Sequence, residues 1–518
     1  MHEALPTTKV GSTTQSTNTL RSAMRLFGYA PKRGAAAGDT MPFYHDGKWH
    51  LFFSQPPVGA WEYVERARVS TAYLQSDDLV NWKVMPDAFG PGAHGDCDGD
   101  GIWTGSVIEH EGVFHFFYTG YNRQSASPQT ICKATSTDMK TWDKSGGNPL
   151  ISPDPQWYET VDWRDPFVYR DEEAGCFKML ISARLKEGPQ FRRGCVAVAT
   201  SDDLDHWEVG PPLASSMLTH CPECPEFFKL GDWWYLVESR YSERMQTLYR
   251  VAKSPEGPWE SRKLDSLDGR RFYAAKSASD GDRRFSFAWI PFRKHHGPKR
   301  SWVWGGELGS PRELLSLPDG TLVSRLPQEV DDSYDTPVEH KVRPVLGDWT
   351  KGDSPQCDAT GTYAYAFLDG PDRDDVLLDV VIEPTANTEA VGILLEPRGG
   401  DHLDSGYSLA IEPMKERVVF DRWPAAMDPL WDSLVLNERH GIEVSQEIDS
   451  PLVDRPLAFT PEDGRYRVQI LRNGSAIECF VAGQVVASFR VYDISNTDAW
   501  GLFVQEGDAT FHDLKFRK

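Results

Sequence analysis

Through the first three fifths of the chain, apolar and aromatic residues come in short runs entered through a turn glycine. Five such runs stand out, at residues 45–53, 111–118, 174–181, 231–237 and 281–289, and the spacings between their glycines are 65, 63, 56 and 50 residues. Runs of this length, rich in aromatic and β-branched side chains and bounded by Gly and Asp, predict strands, each the second strand of a hairpin. Three of them lead into a second repeated unit, Ser-x-Asp-Leu-x-x-Trp or its Met variant, at residues 76–82, 136–142 and 201–207, with a degenerate copy at 254–259. A hairpin, a further strand and a fixed turn, recurring every 50 to 65 residues, match one four-stranded propeller blade with long connections.

Beyond Pro327 the repeat stops. A polar stretch at 328–338 precedes short alternating strands such as 376–382, 466–471 and 485–489, separated by Gly, Asn and Asp turns. The expected fold is therefore all-β: an N-terminal extension at 1–25, a five-bladed β-propeller catalytic domain at 26–335, and a C-terminal β-sandwich at 336–518. The sandwich reads as a structural buttress.

Composition narrows the partners. The 518 residues carry 55 Lys and Arg against 77 Asp and Glu, a formal charge of −22, so phosphate backbones and anionic lipid are repelled. No apolar stretch of about 18 residues is present, which excludes helices that span a bilayer. Nucleic acid and membrane are thus not expected as partners, whereas 18 Trp, 18 Tyr and 25 Phe suit aromatic platforms for a neutral ligand such as a carbohydrate. Residues 1–20 lack a basic and then apolar signal pattern, and the eight cysteines are scattered, so the expectation is a cytoplasmic protein with reduced thiols, or a secreted one if a signal has been trimmed. Oligomeric state is not legible.

The chemistry lies upstream of each hairpin glycine, on the strand expected to line the propeller axis. Asp39 and Glu223 each stand 8 residues before their glycine and Asp165 stands 10 before its own, while Thr104 and Tyr273 occupy the offset of 8 in the remaining two blades. Equivalent strand positions converge on the axis, so three distant acids share one pocket. Carboxylates in an aromatic surround are the equipment of glycoside hydrolysis, one protonating the leaving oxygen and another attacking the anomeric carbon or activating water. The third is then available to stabilise positive charge on the sugar. Flanking Cys, Pro and Phe residues suggest a dry site for Glu223 and a raised pKa suited to the acid.

These residues resemble a known family. Gly38-Asp39 before Tyr-x-x-Gly-x-Trp-His-Leu-Phe, Trp103-Thr104-Gly105-Ser106, Trp163-Arg164-Asp165-Pro166, Glu223-Cys224-Pro225, Phe272-Tyr273-Ala274 and Pro311-Arg312-Glu313-Leu314 are similar, in order, to the blocks of glycoside hydrolase family 32. That family comprises retaining fructosidases and fructosyltransferases that act on sucrose or β-linked fructans. The resemblance implies Asp39 as nucleophile, Glu223 as acid/base and Asp165 as transition-state stabiliser. Arg164 would fix the sugar, Trp103 and Ser106 would line the fructose subsite, and Gln55 and Tyr273 would bind substrate, with Trp302 or Trp304 as aromatic walls. No cofactor or metal is implied.

The chain departs from the family pattern around the nucleophile. Gly38-Asp39-Thr40-Met41-Pro42 replaces Asn-Asp-Pro-Asn-Gly, Ser54 takes the place of a Gln that here comes one step later as Gln55, and residues 62–73 lack a His-Trp-Gly run. Substrate choice, more than reaction type, is therefore open, with an inverting furanosidase such as an arabinofuranosidase, or a non-catalytic sugar-binding propeller, as alternatives. Asp96-x-Asp98-x-Asp100 imitates a calcium loop, but Val107 stands where its twelfth ligand would be, so a tight turn is expected. Cys221-x-x-Cys224 lacks a partner motif for zinc, and His295-His296 is expected in solvent.

Overall fold

The computed structural model describes residues 24–31, 35–215, 217–297, 300–352, 354–425, 451–495 and 498–518. Five antiparallel sheets follow one another along the first part of the chain, and each begins with the strand nearest the axis. Blade 1 comprises Thr40–His45, Lys48–Gln55, Ser70–Ser76 and Trp82–Val84; blade 2 comprises Gly101–His110, Val113–Tyr121, Gln129–Ser136 and Asp143–Lys144. Blade 3 comprises Tyr158–Asp171, Cys176–Leu185, Gly194–Ser201 and Glu208–Val209. In blade 4, Pro222–Leu230, Trp233–Arg240 and Gln246–Ala252 form the ladder, and the fourth strand is reduced to bridges at Glu260 and Ser266. Blade 5 is formed by Tyr273–Ser279 and Arg284–Arg293, with Trp302–Leu308 and Arg312–Ser316 sharing the next position and Leu322–Arg325 outermost.

The repeated Ser-x-Asp turn has a local cause. In blade 1 the Asp78 carboxylate accepts the N–H groups of Val80 at 3.0 Å and Asn81 at 2.7 Å, which leaves Leu79 in the left-handed region at φ 65°. Its carbonyl then accepts the Trp82 indole N–H at 2.8 Å, fixing the ring against the blade. The same turn recurs through Met139 and Trp142 and through Leu204 and Trp207. The degenerate copy has Ser254 bonded to Glu256 instead, and it falls in the blade with the reduced fourth strand.

Between blades, aromatic and aliphatic faces interlock. Phe52 stacks on Tyr73 at 4.5 Å and meets Phe116 of the next blade edge-on at 5.3 Å. The ring is closed by the chain's start: Tyr29 and Ala37 bridge to Leu308 and Gly306 of blade 5, while Met24 bridges to Trp82 of blade 1. The expected extension at 1–25 falls outside the described residues up to position 23. Its last two residues belong to the body, since Met24 makes that bridge and Arg25 pairs with Asp375 of the second domain at 2.7 Å.

A short helix, Gln328–Asp332, leads to the second domain, whose strands begin at Pro337. Two antiparallel sheets, one centred on Val376–Pro384 and Tyr466–Asn473, the other on Ala390–Arg398 and Trp500–Gln505, pack face to face over Val380, Ile393, Ile470, Leu502 and Phe511. The domains are locked by a fully buried ionic cluster. Arg312 of blade 5 binds Asp268 at 2.7 Å and Glu478 of the sandwich at 2.6 Å, and the Ser488 hydroxyl donates to Asp268 at 2.7 Å.

Candidate active site

Regular pleating sends alternate side chains to opposite faces, so an innermost strand aims only every second residue along one direction. Four of the five innermost strands break that rule where the site residues lie. The registers slip at Trp103/Gly105 in blade 2, at Arg164/Phe167 in blade 3, at Glu223/Glu226 in blade 4 and at Tyr273/Lys276 in blade 5. Each slip is a β-bulge that re-aims the local side chains. Three of the bulges carry a non-glycine residue in the left-handed region: Asp165 at φ 58°, Cys224 at φ 51° and Ala274 at φ 54°. In blade 1 the Asp39 carbonyl accepts the Ser54 N–H at 2.9 Å, just before the first regular pair of the ladder.

These positions surround a cavity of about 530 Å³ lined by Asp39, Asp165, Glu223, Arg164, Trp103 and Thr104, with Trp289, Trp302, Trp304 and Tyr273 among its walls. Asp39 accepts the Thr104 hydroxyl at 2.6 Å and the Trp289 indole N–H at 2.8 Å, one on each carboxylate oxygen. Gly38 makes room for the wall beside it, because a Cβ there would lie 2.4 Å from the Trp304 ring. Asp165 accepts the Cys224 N–H at 2.9 Å, and its own N–H donates to Thr119 at 2.8 Å. Glu223 accepts the Tyr273 hydroxyl on one oxygen and Arg164 at 3.3 Å on the other. Arg164 also binds Asp162 at 2.6 Å and Gln129 at 3.1 Å, and its Nε stands 3.7 Å from Asp165.

The electrostatics separate the acids. Burial raises Asp39 to about 6, with Asp165 adding to the shift and the Thr104 and Trp289 bonds opposing it. Burial raises Glu223 further, to about 7; Arg164 and the Tyr273 bond oppose, while Asp165 and Asp39 add. Burial also opposes the Arg164 charge, but Glu223, Asp165 and Asp162 help hold the guanidinium protonated. Between about pH 6 and about pH 7 the pocket therefore favours an ionised Asp39 together with a protonated Glu223. That division suits nucleophile and acid.

Of the residues singled out in the sequence, Asp39, Asp165, Glu223, Arg164, Trp103, Tyr273 and Trp304 line the cavity together, as does Trp302. Ser106 and Gln55 do not. Ser106 lies beyond the blade 2 bulge, and its hydroxyl accepts the Val168 N–H at 3.0 Å, joining two blades behind the pocket. Gln55 ends the second strand of blade 1, opposite Ser70, and is not among the residues that line the cavity. Trp289, Gln129 and Asp162 line the pocket without having been singled out as site residues. The only sequence signal was for Trp289, at the end of the fifth hairpin run. Asp96 and Asp98 accept loop N–H groups from Ala93 and Gly92, Asp98 also pairs with Lys144 and Asp100 with Arg123, and exposed His295 and His296 pack against Trp61.

The N-terminal domain model of the glycosyl hydrolases family 32 matches residues 29–325. Raffinose invertase from Escherichia coli is 28% identical over 329 residues, which is 59% of this chain and 65%, just under two thirds, of that enzyme. Sucrose-6-phosphate hydrolase from Zymomonas mobilis is 26% identical over 505 residues, covering 91% of this chain and 87% of the relative. Among solved structures, the exo-inulinase from Aspergillus awamori superposes with a TM-score of 0.69 at 18% identity, covering 95% of this chain and 97% of that one. The fructan 1-exohydrolase IIa from Cichorium intybus gives 0.68 at 17%, covering 97% and 99%, so the two-domain fold is shared throughout. With the family model spanning more than half its length and converging on the blades that hold the acids, the chain belongs to glycosyl hydrolase family 32.

Proposed function

We propose that this protein is a retaining β-fructofuranosidase, with sucrose, fructo-oligosaccharides or fructans as substrates. The observation that carries the reading is the convergence of Asp39, Asp165 and Glu223 on one aromatic-walled cavity, Asp39 held by Thr104 and Trp289 and Glu223 by Tyr273 and Arg164, with burial raising both Asp39 and Glu223. Family membership and the names of the relatives, an invertase and a sucrose-6-phosphate hydrolase, supply the sugar class.

In the first step Asp39 attacks the anomeric carbon of the fructosyl unit while Glu223 donates its proton to the leaving oxygen. The bond to the leaving sugar breaks as the bond to Asp39 forms. Positive charge on the ring is stabilised by Asp165, which Arg164 and the Cys224 N–H hold in place. Glu223, now ionised and still held by Tyr273 and Arg164, removes a proton from water in the second step, and the water oxygen displaces Asp39. Trp103, stacked on Tyr121 at 4.3 Å, and Trp304 offer apolar faces to the sugar.

The test is the configuration of the product released at early times from sucrose, raffinose, 1-kestose, inulin and levan, followed by NMR. β-Fructofuranose formed first, with retention, supports the reading. Inversion, or release of arabinose from arabinofuranosides with none of the fructosides turned over, overturns it.

A further inference from the structure

Outside the catalytic cavity, blade 2 carries a second hollow of about 520 Å³ on its flank, lined by residues 95–98, Asn122, Thr130, Lys144 and Asn148 among others. Cys97 lines it, and a second thiol lies buried directly behind. Cys97, in the loop before Gly101–His110, is half-buried, and its Sγ lies 3.5 Å from that of Cys132, which is buried in Gln129–Ser136. No other pair of cysteines is in thiol contact among the described residues. The backbone is shaped around this contact, because a Cβ on Gly120 would stand 2.7 Å from the Cys132 sulfur and 3.1 Å from the Cys97 carbonyl. A side chain there would push the two sulfurs apart.

We propose that Cys97 and Cys132 are a redox modification site, a dithiol that hydrogen peroxide closes into a reversible disulfide. Cys97 is the attacking thiol: it opens on the hollow, and the hydrogen bond shared with Cys132 favours its thiolate, against the opposing effects of burial, Asp98 and Asp96. Its sulfur attacks one peroxide oxygen; an S–O bond forms, the O–O bond breaks, and the departing hydroxide takes a proton from water's pool to leave as water. Cys97 is then a sulfenic acid. Cys132 gives up its proton and attacks the Cys97 sulfur, so that an S–S bond forms, the S–O bond breaks and a second water leaves. Two electrons pass from the thiol pair to one peroxide, which becomes two waters.

Closing the pair needs the sulfurs to approach from 3.5 Å to about 2.05 Å, a movement the loop carrying Cys97 can supply. Asn122 holds that loop through the carbonyls of Gly95 and Asp96, and its far end enters the strand bearing Trp103 and Thr104. Cys132 is three residues from Gln129, which accepts Arg164.

The experiment treats the full chain with a small excess of hydrogen peroxide, quenches free thiols with iodoacetamide, and maps peptides by mass spectrometry without reduction. A Cys97–Cys132 cross-linked peptide, a mass loss of about 2 Da and recovery of both thiols with dithiothreitol are expected. Cys176, also half-buried and with no thiol in contact among the described residues, is the internal control and should give no disulfide. Cys97→Ser and Cys132→Ser should each abolish the cross-link. Stepwise oxidation of Cys97 to sulfinic acid with no bridge, or a pair left reduced while Cys176 oxidises, would overturn the proposal, and since wild-type protein alone gives that reading, it does not depend on either variant folding.

Discussion

Tyr273→Phe removes one hydroxyl from the site and keeps the ring edge-on to Trp289 at 5.7 Å. That hydroxyl donates to Glu223 and favours its ionised form. A hydrogen bond to a charged acceptor is worth about 1.5–3 kcal/mol, part of which is kept when the acid is neutral, so its loss raises Glu223 by about one pH unit, from about 7 to about 8. The productive enzyme has Asp39 ionised and Glu223 protonated, which gives kcat/KM an acid limb near 6 and an alkaline limb near 7 in the wild type. With those limbs, kcat/KM at pH 8 is about 0.15 of its optimum; with the alkaline limb moved to 8 it becomes about 0.6. Initial rates on sucrose or raffinose at low concentration, taken from pH 4 to 9, give both limbs as ratios, so a change in absolute rate does not confuse the result. An alkaline limb that stays at 7 or moves down would refute the assignment of Glu223 as the proton donor.

The mirror experiment is Thr104→Val, which removes a bond that lowers Asp39 and should move the acid limb upward with the alkaline limb unmoved, read from the same pH series. Glu223→Gln should slow turnover by roughly 10²–10⁴-fold and Asp39→Asn by at least as much, measured as sugar release per enzyme. Both carboxyls are raised in the folded state, so the stability tied to their protonated forms is complete below about pH 4 and is lost as pH rises through about 6 and about 7. The two inactive variants should therefore unfold later than wild type at pH 8, by up to about 3 kcal/mol each, and gain nothing at pH 4; equal melting curves at pH 8 would contradict the raised values. Arg312→Met leaves Asp268 and Glu478 buried without their partner and should cost about 3–5 kcal/mol in urea unfolding, with no change in the pH limbs of the residual activity.

The hairpin glycines and the Ser-x-Asp turns made the blades legible, because both depend on local backbone chemistry that a few residues determine. The three acids were legible for the same reason, since counting back from each glycine reaches the innermost strand. What counting could not supply was the bulge. Its extra residue changes which neighbours face the axis, so Thr104 reaches Asp39 whereas Ser106, two positions on, turns to the Val168 backbone. Gln129 was invisible because it acts through Arg164, a contact between strands that no spacing encodes, and Asp162 because a carboxylate two positions before Arg164 on the same strand shows its role only when both side chains are seen to turn to the pocket. The Arg312 block was read as a family signature, and its physical role, an ionic lock between domains, emerges only when Glu478 arrives from 166 residues away.

The recurrence of the bulge at the same level of four blades has a consequence for how such a pocket changes over time. A bulged residue stands outside the ladder's regular pairing, so its side chain can be replaced while neighbouring backbone bonds are kept. Each of the four blades thereby presents a slot at or beside its bulge: Thr104 and Asp165 are themselves unpaired, Glu223 and Tyr273 are the last paired positions before their bulges, and the first blade supplies Asp39. New substrates can be tried by exchanging one slot at a time, against a frame that does not register the exchange.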